Sequence, residues 1–412
     1  MQLQLGRLKI ISSIATLTML VSLGPLATAA DWPQFRGPDG QGHSSERGLP
    51  TTWSETENIV WKTPIAGLGW SSPVVAGNQV WLTTAIEETR SLRAVCVDLP
   101  SGQVVRDVEI FRKGDLGAIN AKNSHASPTP LIEGDRIFVH YGAHGTACLT
   151  QEGQIVWQNE ELHYDHRHGP AGSPVLWGDL LIFSCDGSDV QFVVALDKHN
   201  GRIRWKKERQ GRMAYSTPLV IRSGGVDQLI SSGGDHVVAY EPASGNEIWR
   251  FRYDGYSVVP RPVFAHGLVL LSSGYDTPTL YAIRPDGQGD VTDTHGQWTL
   301  RRAAPHNPSP LVVGNELYLV SDLGVASCVD ARTGDPHWQQ RVGGGFSASP
   351  LYGDGRIYLT NEDGATTILA AGATAKKLAT NQIEGRTLAS LATAGRSILL
   401  RSDRHLYRIE ER

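Results

Sequence analysis

Hydrophobic residues in this chain come in short runs, each opened by a Pro step and broken by a Gly or a turn. The runs read SSPVVAGNQVWLTT, TPLIEGDRIFVH, SPVLWGDLLIFSC, TPLVIRSGGVDQLISS, RPVFAHGLVLLSS, SPLVVGNELYLVS and SPLYGDGRIYLT. Their prolines are Pro73, Pro130, Pro174, Pro218, Pro262, Pro310 and Pro350, at intervals of 57, 44, 44, 44, 48 and 40 residues. A degenerate eighth copy, ASLATAGRSILLRSD, begins near Ser390. After each run come a short strand, an Asp/Gly turn and a strand ending in Trp, as in ALDKHNGRIRW, AYEPASGNEIW and CVDARTGDPHW. The Asp, Asn and Gly residues suit the left-handed backbone of tight hairpins. The apolar runs do not alternate with polar residues, as expected of strands covered on both faces.

Four short strands in a unit of about 44 residues is the pattern of a propeller blade. The sequence therefore predicts an all-β, eight-bladed β-propeller of four-stranded antiparallel blades, reduced to seven if the weak terminal copies do not pair. The recurring tryptophans, Trp61, Trp157, Trp205, Trp249, Trp298 and Trp338, are read as structural side chains packing between blades. The last unit ends after about three strands, and the Trp-bearing segment Asn58–Lys62 precedes the first blade. That segment is expected to supply the missing outer strand and close the ring, removing open sheet edges. The division is then a leader at 1–30, an extension at 31–57 lying over one face, and a propeller at 58–412.

Composition adds the compartment. Residues 1–30 have Arg7 and Lys9, an apolar stretch from Ile10 to Leu23 and small residues at Ala27–Ala30, the layout of a secretory signal peptide. An exported protein, periplasmic or secreted, soluble and with no transmembrane segment in the mature chain, is the expectation. With 45 glycines, 11 tryptophans and 19% charged residues, the chain reads as turn-rich and globular. A net charge of −4 gives nucleic acid no electrostatic footing. Cys96, Cys148 and Cys328 stand at one repeating strand position where other copies carry Ala, so all four cysteines, Cys185 included, are read as free and buried.

Loops leading into the innermost strands of a propeller line one mouth of its channel. Here they carry Trp70, His125, His168, Tyr215, Arg261, His306 and Phe346, a mixture that suits a carboxylate, a sugar or a peptide side chain. The bland alternative is that these residues plug the channel. The segment HYDHRHGP offers His163, Asp165, His166 and His168 as a metal set, against the plain reading of a solvated polar loop. Asp286, Asp290 and Asp293 lack calcium-loop spacing and read as turn formers. Asp189, Asp235, Asp276, Asp322 and Asp363 follow the second strand of successive blades, as turn formers or as an acidic ring on the ligand face. No G-x-S-x-G elbow, H-E-x-x-H helix or kinase signature occurs.

The A-L-D-x-x-x-G-x-x-x-W pattern from Ala195 to Trp205, with WPQFRGPDGQG and GWSSP upstream, resembles the PQQ-like quinoprotein propeller repeat. The resemblance covers residues 31–412 and extends to the outer-membrane assembly-factor (BamB-like) propellers, which are non-enzymatic scaffolds. It implies a binding or scaffolding propeller whose partner is an envelope or extracellular protein, or a small polar or sugar ligand, with no cofactor. It leaves open two alternatives: a periplasmic oxidoreductase using PQQ with calcium, and a binder of carbohydrate or cell-surface polymer. Against the oxidoreductase, no two cysteines are adjacent, so the vicinal pair of the quinoprotein dehydrogenases has no counterpart.

Overall fold

The computed structural model describes residues 31–411 together with Gln2, so the signal-peptide reading of residues 1–30 falls, Gln2 apart, outside the described residues. Eight four-stranded antiparallel sheets follow one another around a ring. Blade 1 comprises Val74–Ala76, Gln79–Ile86, Ser91–Asp98 and Val104–Arg112. Blades 2 to 7 begin, at their innermost strands, with Leu131–Glu133, Val175–Trp177, Leu219–Ser223, Val263–Ala265, Leu311–Val313 and Leu351–Gly353. Blade 8 has Ala392–Ala394, Ser397–Arg401 and His405–Ile409 from the C-terminal end of the chain. Its outer strand is Ile59–Pro64, paired antiparallel with His405–Ile409. The weak terminal copies do pair, and the ring has eight blades.

The hydrophobic core lies between the blades rather than at a single centre. Leu181, Phe183 and Val194 of blade 3 pack with Phe138 and Cys148 of blade 2, and similar layers fill the other junctions. The layer joining blades 7, 8 and 1 also takes Trp32, Leu49 and Trp53 from the extension. All four cysteines are buried and unbridged within these layers.

The repeating Gly and Trp hold neighbouring blades together through one contact. Trp157 Nε1 donates to Lys198 O at 2.9 Å in the next blade's hairpin, and Trp205 Nε1 donates to Pro242 O at 3.0 Å. Gly201 and Gly245, in those same hairpins, lie against the indole faces with φ of +73° and +69°. A Cβ at Gly201 would come within 2.5 Å of Trp157, so the turn needs Gly both for its backbone angle and for the approach. Ring closure uses the same device: Trp61 Nε1 donates to Leu99 O at 2.9 Å, over Gly102. Trp249 departs from it. An inserted strand, Gly289–Asp290, pairs with its blade, and its Nε1 donates to Gln228 of the same blade at 2.8 Å.

The extension crosses the opening where the innermost strands leave the channel. Trp32 bridges to Val75, Pro33 O accepts from Ile132 N at 2.7 Å, and His43–Ser44 adds a parallel strand to blade 7. Farther on, Glu411 Oε1 accepts from the backbone and hydroxyls of Thr51 and Thr52, tying the C-terminal end to the extension. Among the described residues no helix is long and apolar enough to cross a membrane.

Gly201→Ala tests the docking contact against Gly77→Ala, whose Cβ would meet nothing within 4 Å although its φ is also positive, at +54°. Backbone strain alone gives Gly77→Ala a loss of about 1 kcal/mol. Gly201→Ala adds a clash and should lose about 3 kcal/mol, seen as the larger fall in unfolding temperature. Equal losses would contradict the role given to the indole contact.

Candidate functional site

Each innermost strand is entered through a residue directly before the anchor proline or its counterpart: Ser72, Thr129, Ser173, Thr217, Arg261, Ser309, Ser349 and Ser390. Proline holds its predecessor in extended backbone, which aims these residues alike around the axis. The result is a hydrogen-bonded circuit. Ser72 N donates to Thr129 Oγ1 at 3.0 Å, Thr129 N to Ser173 Oγ at 2.9 Å, and Ser173 N to Thr217 Oγ1 at 2.9 Å. From blade 5 it continues through Arg261 N to Ser309 Oγ, Ser309 N to Ser349 Oγ, Ser349 N to Ser390 Oγ and Ser390 N to Ser72 Oγ, at 2.9 to 3.1 Å. Arg261 supplies no hydroxyl. Its guanidinium reaches instead to Phe35 O of the extension at 2.8 Å.

Above this circuit lies a chamber of about 600 Å³ whose lining includes Phe35 of the extension. Seven of the circuit residues line it, Arg261 being the exception, and so do the residues two positions before all eight: Trp70, Ser127, Ala171, Tyr215, Val259, Asn307, Ser347 and Leu388. The period of two follows from extended backbone, in which alternate side chains face the same way. Loop residues complete the lining, among them Asn120, Lys122, Asn123, His168, Tyr256, Tyr275, His306 and Asp322. Since Phe35 and the extension close the other opening, the channel is blind.

Aromatic rings meet along this wall. Tyr275 lies edge-on to Tyr256 with centroids 5.5 Å apart and 5.8 Å from His306, while His168 and Tyr215 are 6.0 Å apart. Asp322 accepts from the backbone N–H of His306 at 2.6 Å and from the Asn307 amide. Its carboxylate also holds the His306 imidazole above the ordinary histidine pKa. Burial pushes the Tyr215 phenol up to about 12, keeping it a neutral donor at neutral pH. Lys122 pairs with Glu362 at 2.8 Å. The wall thus presents aromatic faces, hydroxyls and amides, with most of its charge paired.

Of the mouth residues expected from sequence, Trp70, His168, Tyr215 and His306 line the chamber. Three lie outside that lining. Arg261 is buried below the hydroxyl circuit, and Phe346, four residues before its anchor Pro350 where the lining residues stand one and three before theirs, turns into the core between blades 6 and 7. His125 is buried beside His144, with ring centroids 6.0 Å apart, and His144 is 5.1 Å from His166.

The metal set is divided in the same way. His166 turns inward to His144, His163 and Asp165 are exposed, and His168 lines the chamber. Among the described residues no three His, Cys, Asp or Glu side chains form a group able to hold a metal. The acidic ring reading holds only for Asp322 in the chamber lining. Asp235 pairs with Arg212, and Asp189 Oδ1 accepts from Asp165 N at 2.8 Å. Sequence reading missed Tyr256, Tyr275, Lys122 and the amides. The parity of positions before each anchor identifies Asn307 and Ser347, but the long loops bearing Tyr256, Tyr275 and Lys122 carry no such signal.

Burial lowers His140 to about 3, and both His144 and His166 to about 4, the neighbouring imidazoles adding to the effect. The folded chain holds them neutral, whereas the unfolded chain protonates them near 6.5. Their contribution to stability is therefore complete above that pH and is lost as the pH falls toward 4. The unfolding temperature should drop across this window. His144→Asn combined with His166→Asn should flatten the drop, and an unchanged slope would contradict the assignment.

The profile of the outer membrane protein assembly factor BamB family matches residues 54–284, 193–319 and 290–404, three overlapping stretches that run around the ring. The outer membrane protein assembly factor BamB of Burkholderia pseudomallei (strain K96243) is 25% identical over 343 residues, covering 80% of this chain and 84% of that protein. The crystal structure of BamB from Moraxella catarrhalis superposes with a TM-score of 0.61 at 13% identity, covering 85% of this chain and 99% of that one. Quinohemoprotein alcohol dehydrogenase from Comamonas testosteroni shares the fold at a TM-score of 0.68 and 10% identity, over 93% of this chain and 81% of that one. With its repeats matched from the closing strand of blade 8 through all the other blades, this chain belongs to the family of the outer membrane protein assembly factor BamB.

Proposed function

We propose that this chain is an exported, non-enzymatic binding and scaffolding propeller that takes polar, ring-bearing groups of a partner into its blind chamber. The observation that carries this reading is the lining: Trp70, Tyr215, Tyr256 and Tyr275 beside Asn120, Asn123, Asn307 and a belt of hydroxyls. Aromatic faces stack on apolar ring surfaces, while hydroxyls and amides both donate and accept, the combination that recognises sugars and polar peptide side chains. The family's name, assembly factor, supports an envelope or extracellular protein as the partner. Export rests on the composition of residues 1–30.

The fold shared with a quinohemoprotein dehydrogenase motivates the oxidoreductase alternative. The chamber residues do not fit a calcium-held quinone tricarboxylate. Lys122 is already paired with Glu362, Asp322 adds negative charge, and no metal-holding group occurs among the described residues. The cysteines are buried, with thiols of Cys96, Cys148 and Cys328 pushed up to about 12 by burial, so they supply no thiolate.

Screening the mature protein against glycans and envelope-protein peptides should return ligands whose affinity falls about tenfold or more in Tyr215→Ala and in Trp70→Ala, each substitution removing a stacking face. Folding is checked by a retained far-ultraviolet circular dichroism spectrum and a cooperative unfolding transition, since Trp70 is largely buried and its truncation lowers the unfolding temperature. Ligands that bind both variants as tightly as wild type would overturn the chamber as the site. Stoichiometric, calcium-dependent binding of PQQ would favour the oxidoreductase instead.

A further inference from the structure

Beneath the chamber, the extension and blade 5 bury two guanidinium groups in one place. Arg36 and Arg261 are each 2% exposed. Arg261 spends its donors on backbone, with Nε reaching Pro218 O at 3.1 Å and Nη1 reaching Phe35 O at 2.8 Å. Arg36 Nη2 donates to Pro310 O at 2.7 Å, but its Nε and Nη1 are buried with no acceptor among the described residues. Each cation lies in the other's field, since burial first and Arg261 second hold Arg36 down to about 9.

A carboxylate near such a pair would ordinarily neutralise it, and Asp39 is the one whose field reaches both. Asp39 is already engaged. Its Oδ2 faces His43 Nδ1 at 2.5 Å and its Oδ1 accepts from Gln41 N at 2.8 Å. His43 Nε2 faces the carbonyl of Val312 at 2.6 Å. An imidazole with a carboxylate on one nitrogen and a carbonyl on the other has two acceptors to satisfy, so both nitrogens carry protons and the ring is cationic. Asp39 and His43 therefore cancel, leaving two buried positive charges with no counter-charge among the described residues. Buried charges persist when paired, and an unsatisfied charged donor costs more than a neutral one.

We infer that the extension closes over a small inorganic anion of the halide class, held by the free Nε and Nη1 donors of Arg36 in the field of Arg261. Such an anion sets one negative charge against the two positive ones and accepts from both free donors. It also explains why a guanidinium replaces the hydroxyl found at this circuit position in the other seven blades: Arg261 stabilises the anion and holds the backbone of the plug beside it.

The test is a crystal of the mature protein grown in bromide, with anomalous data at the bromine edge. The expected result is a peak in contact with Arg36 Nε and Nη1. Ordered water there with no anomalous signal, or bromide confined to the outer surface, would overturn the inference. In solution, unfolding temperatures are compared in sodium chloride and sodium gluconate at equal ionic strength. Chloride should raise the wild-type value by about 3 °C or more, as binding to the folded state alone requires. Arg36→Lys, which keeps the charge but removes the paired donors, should lose that difference, and a difference surviving in the variant would mark a general salt effect and overturn the site. If Arg36→Lys does not fold, the bromide map on wild type decides.

Discussion

Everything in this molecule depends on closing the ring, and one strand closes it. Ile59–Pro64 pairs with His405–Ile409 across almost the whole length of the chain. Without that ladder, blade 8 would expose an unpaired edge and blade 1 would lose the Trp61 contact at its hairpin. The inter-blade layers are sequential, so an opening at one junction would expose apolar surface on two blades at once. The extension reinforces this junction with Trp32, Leu49 and Trp53 in the shared core, and with Thr51 and Thr52 on Glu411.

Closure in turn creates the site. Eight strands entered in the same way place eight equivalent residues around one axis, and seven hydroxyls among them link into a circuit of backbone-to-hydroxyl bonds. That circuit satisfies buried N–H groups which a channel without water or ligand would leave unpaired. Eightfold equivalence alone gives a featureless tube. The extension breaks the symmetry by blocking one opening with Phe35, and unequal loops break it at the other with Tyr256, Tyr275 and His306. Recognition on this fold is therefore carried by the departures from the repeat.

That division explains what the sequence made legible. Repeat-bound features were readable: the Pro anchors gave the strands, the Gly and Trp spacing gave the docking contacts, and the displaced Trp61 strand gave the closure. The blind end of the channel was not readable, because Phe35 and Arg36 lie outside the repeat and meet Arg261 and Pro310 only through the fold. Near the mouth, four of the seven residues read from the sequence, Trp70, His168, Tyr215 and His306, line the chamber. Phe346 missed because strand parity turns it into the core, and His125 because its loop folds back onto His144 and His166. HYDHRHGP looked like a cluster in one dimension, but it is an irregular loop that turns at Arg167 and His168, with Gly169 N donating to His166 O at 2.7 Å, and its side chains end in different places.

The central claim, that recognition takes place inside the blind chamber, is tested most directly by site-specific photocrosslinking in the cells that make the protein. A photoreactive phenylalanine analogue replaces Tyr215 in the chamber wall or Val105, which is 45% exposed on the outer strand of blade 1. The account predicts a discrete adduct at position 215, competed by a ligand found in solution, and none at position 105. The same adduct at both positions, or one at 105 alone, would contradict it and move recognition to the outer surface of the propeller.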